Sequence, residues 1–308
     1  MDTPAPLLAP TKALAQRQGF GLRALYFLYY LATAAWLPFL PVYLREVGLP
    51  GVQVGVITGV GPAVQVLCQP IWGLIADLRG RRRALLFAML AAAILLPGYA
   101  GPRTFWLLAG WAVLCGFFAN AITPLIDSLT LDHVEERRSG SYGSVRCWGA
   151  IGWGAGGLLI GRVLMGRDLR LSFVIAGILM LIGLAVNVLV VRETRLNKSF
   201  GKHWRGAGQL LRQPRLLVFL GLMVLLQMGS AAVWSFHSVY LSELGASRWL
   251  LGASVAVRGL SELPVFLVSA AIIRRLGVRP TLILATAVFG VRELAYSLIR
   301  IPEVSLIV

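Results

Sequence analysis

Asp127, Arg146, Arg258, Glu262 and Arg292 are ionisable residues that lie inside otherwise apolar runs. Within a membrane such charges are costly unless they are paired or face an aqueous cavity, so each marks a functional site by default. Asp127 closes the string Asn120-Ala-Ile-Thr-Pro124-Leu-Ile-Asp127. Arg146 and Trp153 belong to the string Tyr142-Gly-Ser-Val-Arg146-Cys-Trp-Gly-Ala-Ile-Gly-Trp153. A guanidinium offers a planar fork that fits a carboxylate or a pair of hydroxyls. Asp127 and Arg146 can equally form a static ion pair between two helices, and Trp153 can be plain packing. Arg258 and Glu262 stand four apart, which puts them on one helix face where they can pair. A static network with Arg292 is the alternative to a working one. Glu293, about 100° round the helix from Arg292, carries no assignment.

A second string, Gly73-Leu-Ile-Ala-Asp77-Leu-Arg79-Gly80-Arg81-Arg82-Arg83, sets an acid beside a cluster of arginines. Such a set can latch two helices and release them, with Gly73 allowing close approach; the plainer reading is an ordinary basic loop. His237 is a lone histidine, a proton carrier or a packed side chain. Tyr26, Tyr30, Gln65 and Gln69 are weaker candidates to line a cavity. No HExxH, Walker or GxSxG motif is present, and the three cysteines show no CxxC spacing. No enzyme, cofactor or metal site is therefore expected.

The elements that carry these residues follow from composition. Of 308 residues, 57% are apolar and 14% charged, against about a quarter charged in a soluble domain. Mean hydropathy is +0.76. The net charge of +16 fits basic loops at a membrane surface better than a nucleic-acid partner. A spanning helix needs about 20 apolar residues. Nine segments qualify: Leu22–Leu44, Val54–Ala76, Ala84–Ala100, Phe105–Leu129, Tyr142–Leu164, Leu171–Val191, Leu216–Leu241, Trp249–Ile273 and Thr281–Leu298. They predict an all-α integral membrane protein, since lipid cannot satisfy exposed backbone. The glycines between Gly149 and Gly161 read as small-residue helix packing.

Most Lys and Arg fall in loops on one side when the N-terminus is cytoplasmic, including Arg79–Arg83, Arg192–Arg215 and Arg274–Arg279. Arg162, Arg167 and Arg170 run against that bias. The first residues carry no secretory signal. The polar stretch 192–215 reads as a cytoplasmic linker between residues 1–191 and 216–308. A shift of 197 residues lays Val42-Tyr43-Leu44 on Val239-Tyr240-Leu241, Glu46 on Glu243, Gly48 on Gly245, Gly55 on Gly252, Gly80 on Gly277 and Arg82 on Arg279. The first and seventh spans thus open equivalent halves, a plan in which the substrate site lies at the repeat interface. The copy of the basic loop, Arg274-Arg275-Leu276-Gly277-Val278-Arg279, lacks the acid.

The Gly73–Arg83 loop resembles the signature loop of the major facilitator superfamily, with Gly73, Asp77, Gly80, Arg81 and Arg82 as its conformational gate. The span-five string resembles the branch that holds lactose permease and the 3-phenylpropionate and nucleoside proton symporters. The resemblance to the superfamily covers about residues 20 to 300. It implies two pseudo-repeated six-helix halves and a secondary active transporter working by alternating access with proton symport. It implies substrate binding by Asp127, Arg146, Trp153 and Arg292, with Trp153 stacking on the substrate. Asp127 stands where the permease has Glu, one methylene longer. Glu262, Phe266 and Arg292 resemble the 3-phenylpropionate branch more than the permease. Glu262, with Arg258 beside it, is then the proton-coupling carboxylate, because burial favours a protonated carboxyl and an approaching guanidinium its release. The implied partners are a proton and a small solute: an aromatic acid, a sugar or a nucleoside. The chain is expected to be a monomer in the plasma (inner) membrane, with about nine of twelve spans present and three more, ~90 residues, expected beyond Val308. A non-transporting receptor or scaffold, or a non-functional fragment, is the rival expectation.

Overall fold

The computed structural model describes residues 12–137, 142–193 and 213–298, and these are helical with short turns. Helix α1 (Lys12–Trp36) and helix α2 (Leu40–Glu46) together occupy the first expected span. The expectation of one unbroken helix there is corrected: the chain turns at Leu37–Phe39. Pro38 and Pro41 account for the break, because neither has an N–H to give to the preceding turn. Helix α3 (Gly51–Arg79) and helix α4 (Arg81–Leu95) meet at Gly80, whose φ of 99° admits little but glycine. A 3-10 turn (Leu96–Ala100) extends α4. Then come α5 (Phe105–Arg137), α6 (Tyr142–Val163), α7 (Arg170–Leu189), α8 (Pro214–Glu243), α9 (Arg248–Leu276) and α10 (Val278–Leu298).

Among the described residues, six segments are long and apolar enough to cross a membrane: Gln16–Glu46, Gly51–Arg79, Arg81–Ala100, Phe105–Glu135, Arg170–Leu189 and Leu216–Glu243. Helices α6, α9 and α10 coincide with the expected fifth, eighth and ninth spans. They fall short on apolarity because glycine dilutes α6 and internal charges interrupt all three. Most of the expected linker, 194–212, lies outside the described residues, as do 1–11 and 299–308.

The core is built by α1 packing on α6 and α7, α3 on α5, and α4 on α5 and α7. Its largest fully buried side chains include Tyr26, Tyr99, Phe39 and Phe173. Helix α9 lies along α6, and there glycines set the distance. A Cβ on Gly157 would come within 2.6 Å of the Gly252 carbonyl oxygen, and one on Gly161 within 2.8 Å of the Gly252 Cα. Backbone therefore meets backbone, as small-residue packing between membrane helices allows. The contact runs from Gly161–Arg248 down to Ala150–Gly259. Beyond it most of the α9 side chains described up to Leu276 are exposed. The two helices are thus joined at the end where α2 and α8 also meet, and part toward the other. Loop glycines related by the 197-residue shift share a backbone state: Gly48 and Gly245 have φ of 97° and 84°, Gly80 and Gly277 of 99° and 83°.

Candidate functional site

A cavity of about 470 Å³ opens between α1, α3, α5 and α6 on one side and α8 and α9 on the other. Arg146, Trp153, Arg258 and Glu262 all line it, together with Tyr29, Tyr30, Gln65 and Asn120. Helix α6 turns Arg146 and Trp153 to the same space because seven residues are close to two helical turns. Helix α9 turns Arg258 and Glu262 inward by their spacing of four.

Aromatic rings hold the cationic side. The Arg146 guanidinium carbon lies 4.2 Å from the Tyr30 ring centroid and 5.7 Å from that of Tyr26. Such contacts stabilise a partly desolvated cation and orient its plane. Trp153 meets Tyr30 edge-on at 6.4 Å, and Tyr29 meets Tyr30 edge-on at 5.1 Å. Gly149 leaves the room: a Cβ there would approach Tyr30 to 2.8 Å and Arg146 to 2.6 Å.

Asp127 is not among the residues that line the cavity. Its Oδ1 accepts hydrogen bonds from the Tyr26 hydroxyl at 2.5 Å and the Tyr142 hydroxyl at 2.9 Å. Two donors on one carboxylate oxygen form a short, charge-assisted arrangement. Tyr26 is fully buried, so its ring links the Asp127 hydrogen bond to the Arg146 stack. Of the weaker candidates, Tyr30 and Gln65 line the cavity. Asn120 fastens α5 to α3 by donating to the Gly61 carbonyl at 2.8 Å, and Thr123 donates to the Tyr29 hydroxyl at 3.0 Å.

Arg292 is half-buried on α10. The Oε2 of Glu293 is buried and has no hydrogen-bond partner among the described residues. His237 shares a small pocket with Trp153 and Arg258. The side chain of Phe266 lies outside the described residues.

The gate loop departs from expectation in two respects. Arg81 pairs with Asp132 of α5 and not with Asp77. Gly73 does not mediate a close approach: a Cβ there would meet nothing within 4 Å. The reason is its position on an exposed face of α3, shared with Val66, Gln69 and Pro70. Arg82 works as a cap. Its guanidinium donates to the carbonyls of Val188 at 2.7 Å and Asn187 at 3.3 Å, and its backbone N–H donates to Glu193 Oε1 at 3.0 Å. A cation at a helix C-terminus satisfies otherwise orphaned carbonyls. Sequence reasoning passed over Asp132 and Glu193, although both flank apolar runs at the arginine-rich end.

The model of the MFS_1 like family matches residues 20–308. The maltose permease of Geobacillus stearothermophilus is 31% identical over 274 residues, covering 88% of this chain and 69% of the permease. The probable 3-phenylpropionic acid transporter of Escherichia coli (strain K12) is 27% identical over 279 residues, covering 86% of this chain and 70% of that protein. The crystal structure of the nucleoside transporter NupG superposes with a TM-score of 0.70 at 16% identity, over 85% of this chain and 69% of NupG. At that identity the likeness shows a shared fold.

Proposed function

The chain belongs to the MFS_1 like family of the major facilitator superfamily, and from that premise we propose that it is a proton-coupled symporter of a small organic solute. It is an integral, multi-pass membrane protein of a transporter family rather than an enzyme family. In this reading residues 1–191 and 216–308 form two halves joined by the cytoplasmic linker 192–215, with the N-terminus cytoplasmic and the chain a monomer in the plasma (inner) membrane. The halves rock about the α6–α9 contact, so that the cavity meets one side of the membrane at a time.

One observation carries the reading: the cavity sets an aromatic-stacked guanidinium, Arg146, on one wall and a guanidinium–carboxylate set, Arg258 and Glu262, on the other. The first wall suits a ring bearing a carboxylate or paired hydroxyls, with Trp153 and Tyr30 as stacking surfaces. Maltose and 3-phenylpropionic acid, for which two of the relatives are named, bear such groups. Arg146, Trp153 and Arg292 serve substrate, and Asp127 acts through Tyr26 as a positioning residue behind them. Glu262 takes up and releases the proton. A carboxyl facing a cavity that opens and closes changes its solvation with each cycle, and the nearby Arg258 gains or loses weight as water leaves. Gly73, Asp77, Gly80, Arg81 and Arg82 remain the conformational gate of this proposal, with Asp132 and Glu193 added to it.

The test is uptake of labelled maltose, 3-phenylpropionate and uridine into proteoliposomes under an imposed pH gradient. Glu262→Gln is expected to abolish uphill uptake of the accepted solute while sparing its exchange. Uphill uptake unchanged in Glu262→Gln removes Glu262 from coupling, and no uptake of any solute by the unsubstituted chain removes the symport reading.

A further inference from the structure

We propose that two ion pairs, exchanged between repeat-related glutamates, lock the end of the pathway at which α2 meets α8. On the orientation proposed above this is the outer end, and the lock rests on that reading only for its sidedness. Glu46 and Glu243 fall on one another in the 197-residue shift, within Val42-Tyr43-Leu44-Arg45-Glu46 and Val239-Tyr240-Leu241-Ser242-Glu243. Each takes its cation from the other side of the pathway. Arg248 Nη2 lies 3.0 Å from Glu46 Oε1, and Arg45 Nη2 lies 3.5 Å from Glu243 Oε1.

Each guanidinium makes a second contact, with a backbone carbonyl. Arg248 also donates through Nη1 to the Leu164 carbonyl at 3.1 Å, which ties the start of α9 to the chain leaving α6. Arg45 donates through Nη1 to the Leu49 carbonyl at 3.2 Å, in its own turn. Arg45 is thus held in its own turn and reaches across with its second nitrogen, whereas both nitrogens of Arg248 cross to the other half, one to backbone and one to Glu46. A fork with fixed geometry can do this; a lysine, a point charge on a flexible stem, cannot. Below the lock, Gly157 and Gly161 bear on Gly252, so the same end is closed by steric contact and by charge.

The pairs are weak by construction. Their side chains keep between 26% and 61% of their exposure, and a pocket of about 370 Å³ lies among Arg45, Glu46 and Glu243. Partly exposed pairs bias an equilibrium by roughly two- to fivefold each. A lock of that strength sets the resting population without trapping the closed state. It also responds to ionic strength, because water reaches it.

The test reads the distance across the lock and needs no substrate. Spin labels go at Val52 and Trp249, both exposed beside the lock, with Cys68, Cys115 and Cys147 replaced by alanine, in the full chain in lipid nanodiscs. Double electron–electron resonance is expected to give one dominant short distance. Glu243→Arg sets two arginines face to face and should raise the long-distance population several-fold; Arg45→Glu added to it should restore the short one. Glu46→Arg and its swap with Arg248→Glu should behave alike. Raising salt from about 0.05 to about 1 M should raise the long-distance population of the unswapped protein, with no gate residue changed. Distances indifferent to both charge reversal and salt overturn the lock, as does a swap that fails to restore. If a reversal variant does not fold, the salt series decides. Reduction of the labels by an impermeant reductant, in sealed proteoliposomes of known insertion, reads the sidedness separately, so a wrong orientation or an absent transport activity leaves the distance result intact.

Discussion

Tyr26→Phe removes one atom from the centre of the site and leaves everything else in place. The Phe ring keeps the stack with Tyr30, at 6.3 Å, and the approach of Arg146, at 5.7 Å. Only the hydrogen bond to Asp127, at 2.5 Å, is lost. A hydrogen bond to a charged group contributes about 1.5–3 kcal/mol. Neutral hydrogen bonds between membrane helices average only about 0.6 kcal/mol in double-mutant cycles, with a ceiling near 1.7. Tyr142 retains its bond to the same oxygen, which softens the loss. We therefore expect a Tyr26→Phe/Asp127→Asn cycle to give a coupling of about 1.5 kcal/mol. The assay is reversible unfolding in mixed micelles, followed by tryptophan fluorescence. Tyr142→Phe, with the longer bond at a more exposed helix end, should couple to Asp127 less strongly. A coupling at or below about 0.6 kcal/mol would refute the reasoning. The Tyr26–Asp127 bond would then be an ordinary neutral contact, and Asp127 would have no hold on the Arg146 platform.

Two other perturbations follow from contacts already given. Gly157→Val adds atoms where a Cβ would already lie 2.6 Å from the Gly252 carbonyl oxygen. Overpacking of this kind costs about 1–3 kcal/mol, so solute uptake should fall at least tenfold with the protein still in the membrane, and wild-type uptake would sink the idea that the helices must touch there. Arg82→Ala strips the cap from α7 and should lower stability by about 1–2 kcal/mol in the same unfolding assay. Arg82→Lys should recover less than half of that, because lysine keeps the charge but loses the fork; full recovery would mean that charge alone matters.

Length and hydropathy made the helices legible, and the fit is close where a run is purely apolar: Val54–Ala76 was expected and α3 covers Gly51–Arg79. The first span, expected over Leu22–Leu44, lies within Gln16–Glu46, but its internal turn was not legible, because a hydropathy window does not register Pro38 and Pro41 as a break inside an apolar run. The cavity charges Arg146, Arg258 and Glu262 were legible because a charge among apolar residues demands a reason. Their partners were not. The bond from Tyr26 to Asp127 joins residues 101 apart, and Arg248 to Glu46 joins residues 202 apart. Such pairs depend on how each helix is rotated about its axis. In a helix that is apolar on all sides, the sequence pattern carries almost no record of that rotation. Asp132 was overlooked for Asp77 for the same reason: both lie at the arginine-rich end, and only helix rotation decides which of them Arg81 meets.

The Arg82 clamp also has a mechanical meaning. The chain leaves α7 through Arg192 and Glu193, and both the last carbonyls of α7 and the Glu193 carboxylate are fastened to the α3–α4 turn. A pull on the segment that follows Glu193 is therefore borne by a junction of three helices rather than by the frayed end of one. Tension between the parts of the molecule would be delivered to the turn at Gly80, where a Cβ would already crowd the Glu193 carboxylate. Any load that the following segment carries thus enters the body at the α3–α4 turn, the gate of the proposal above.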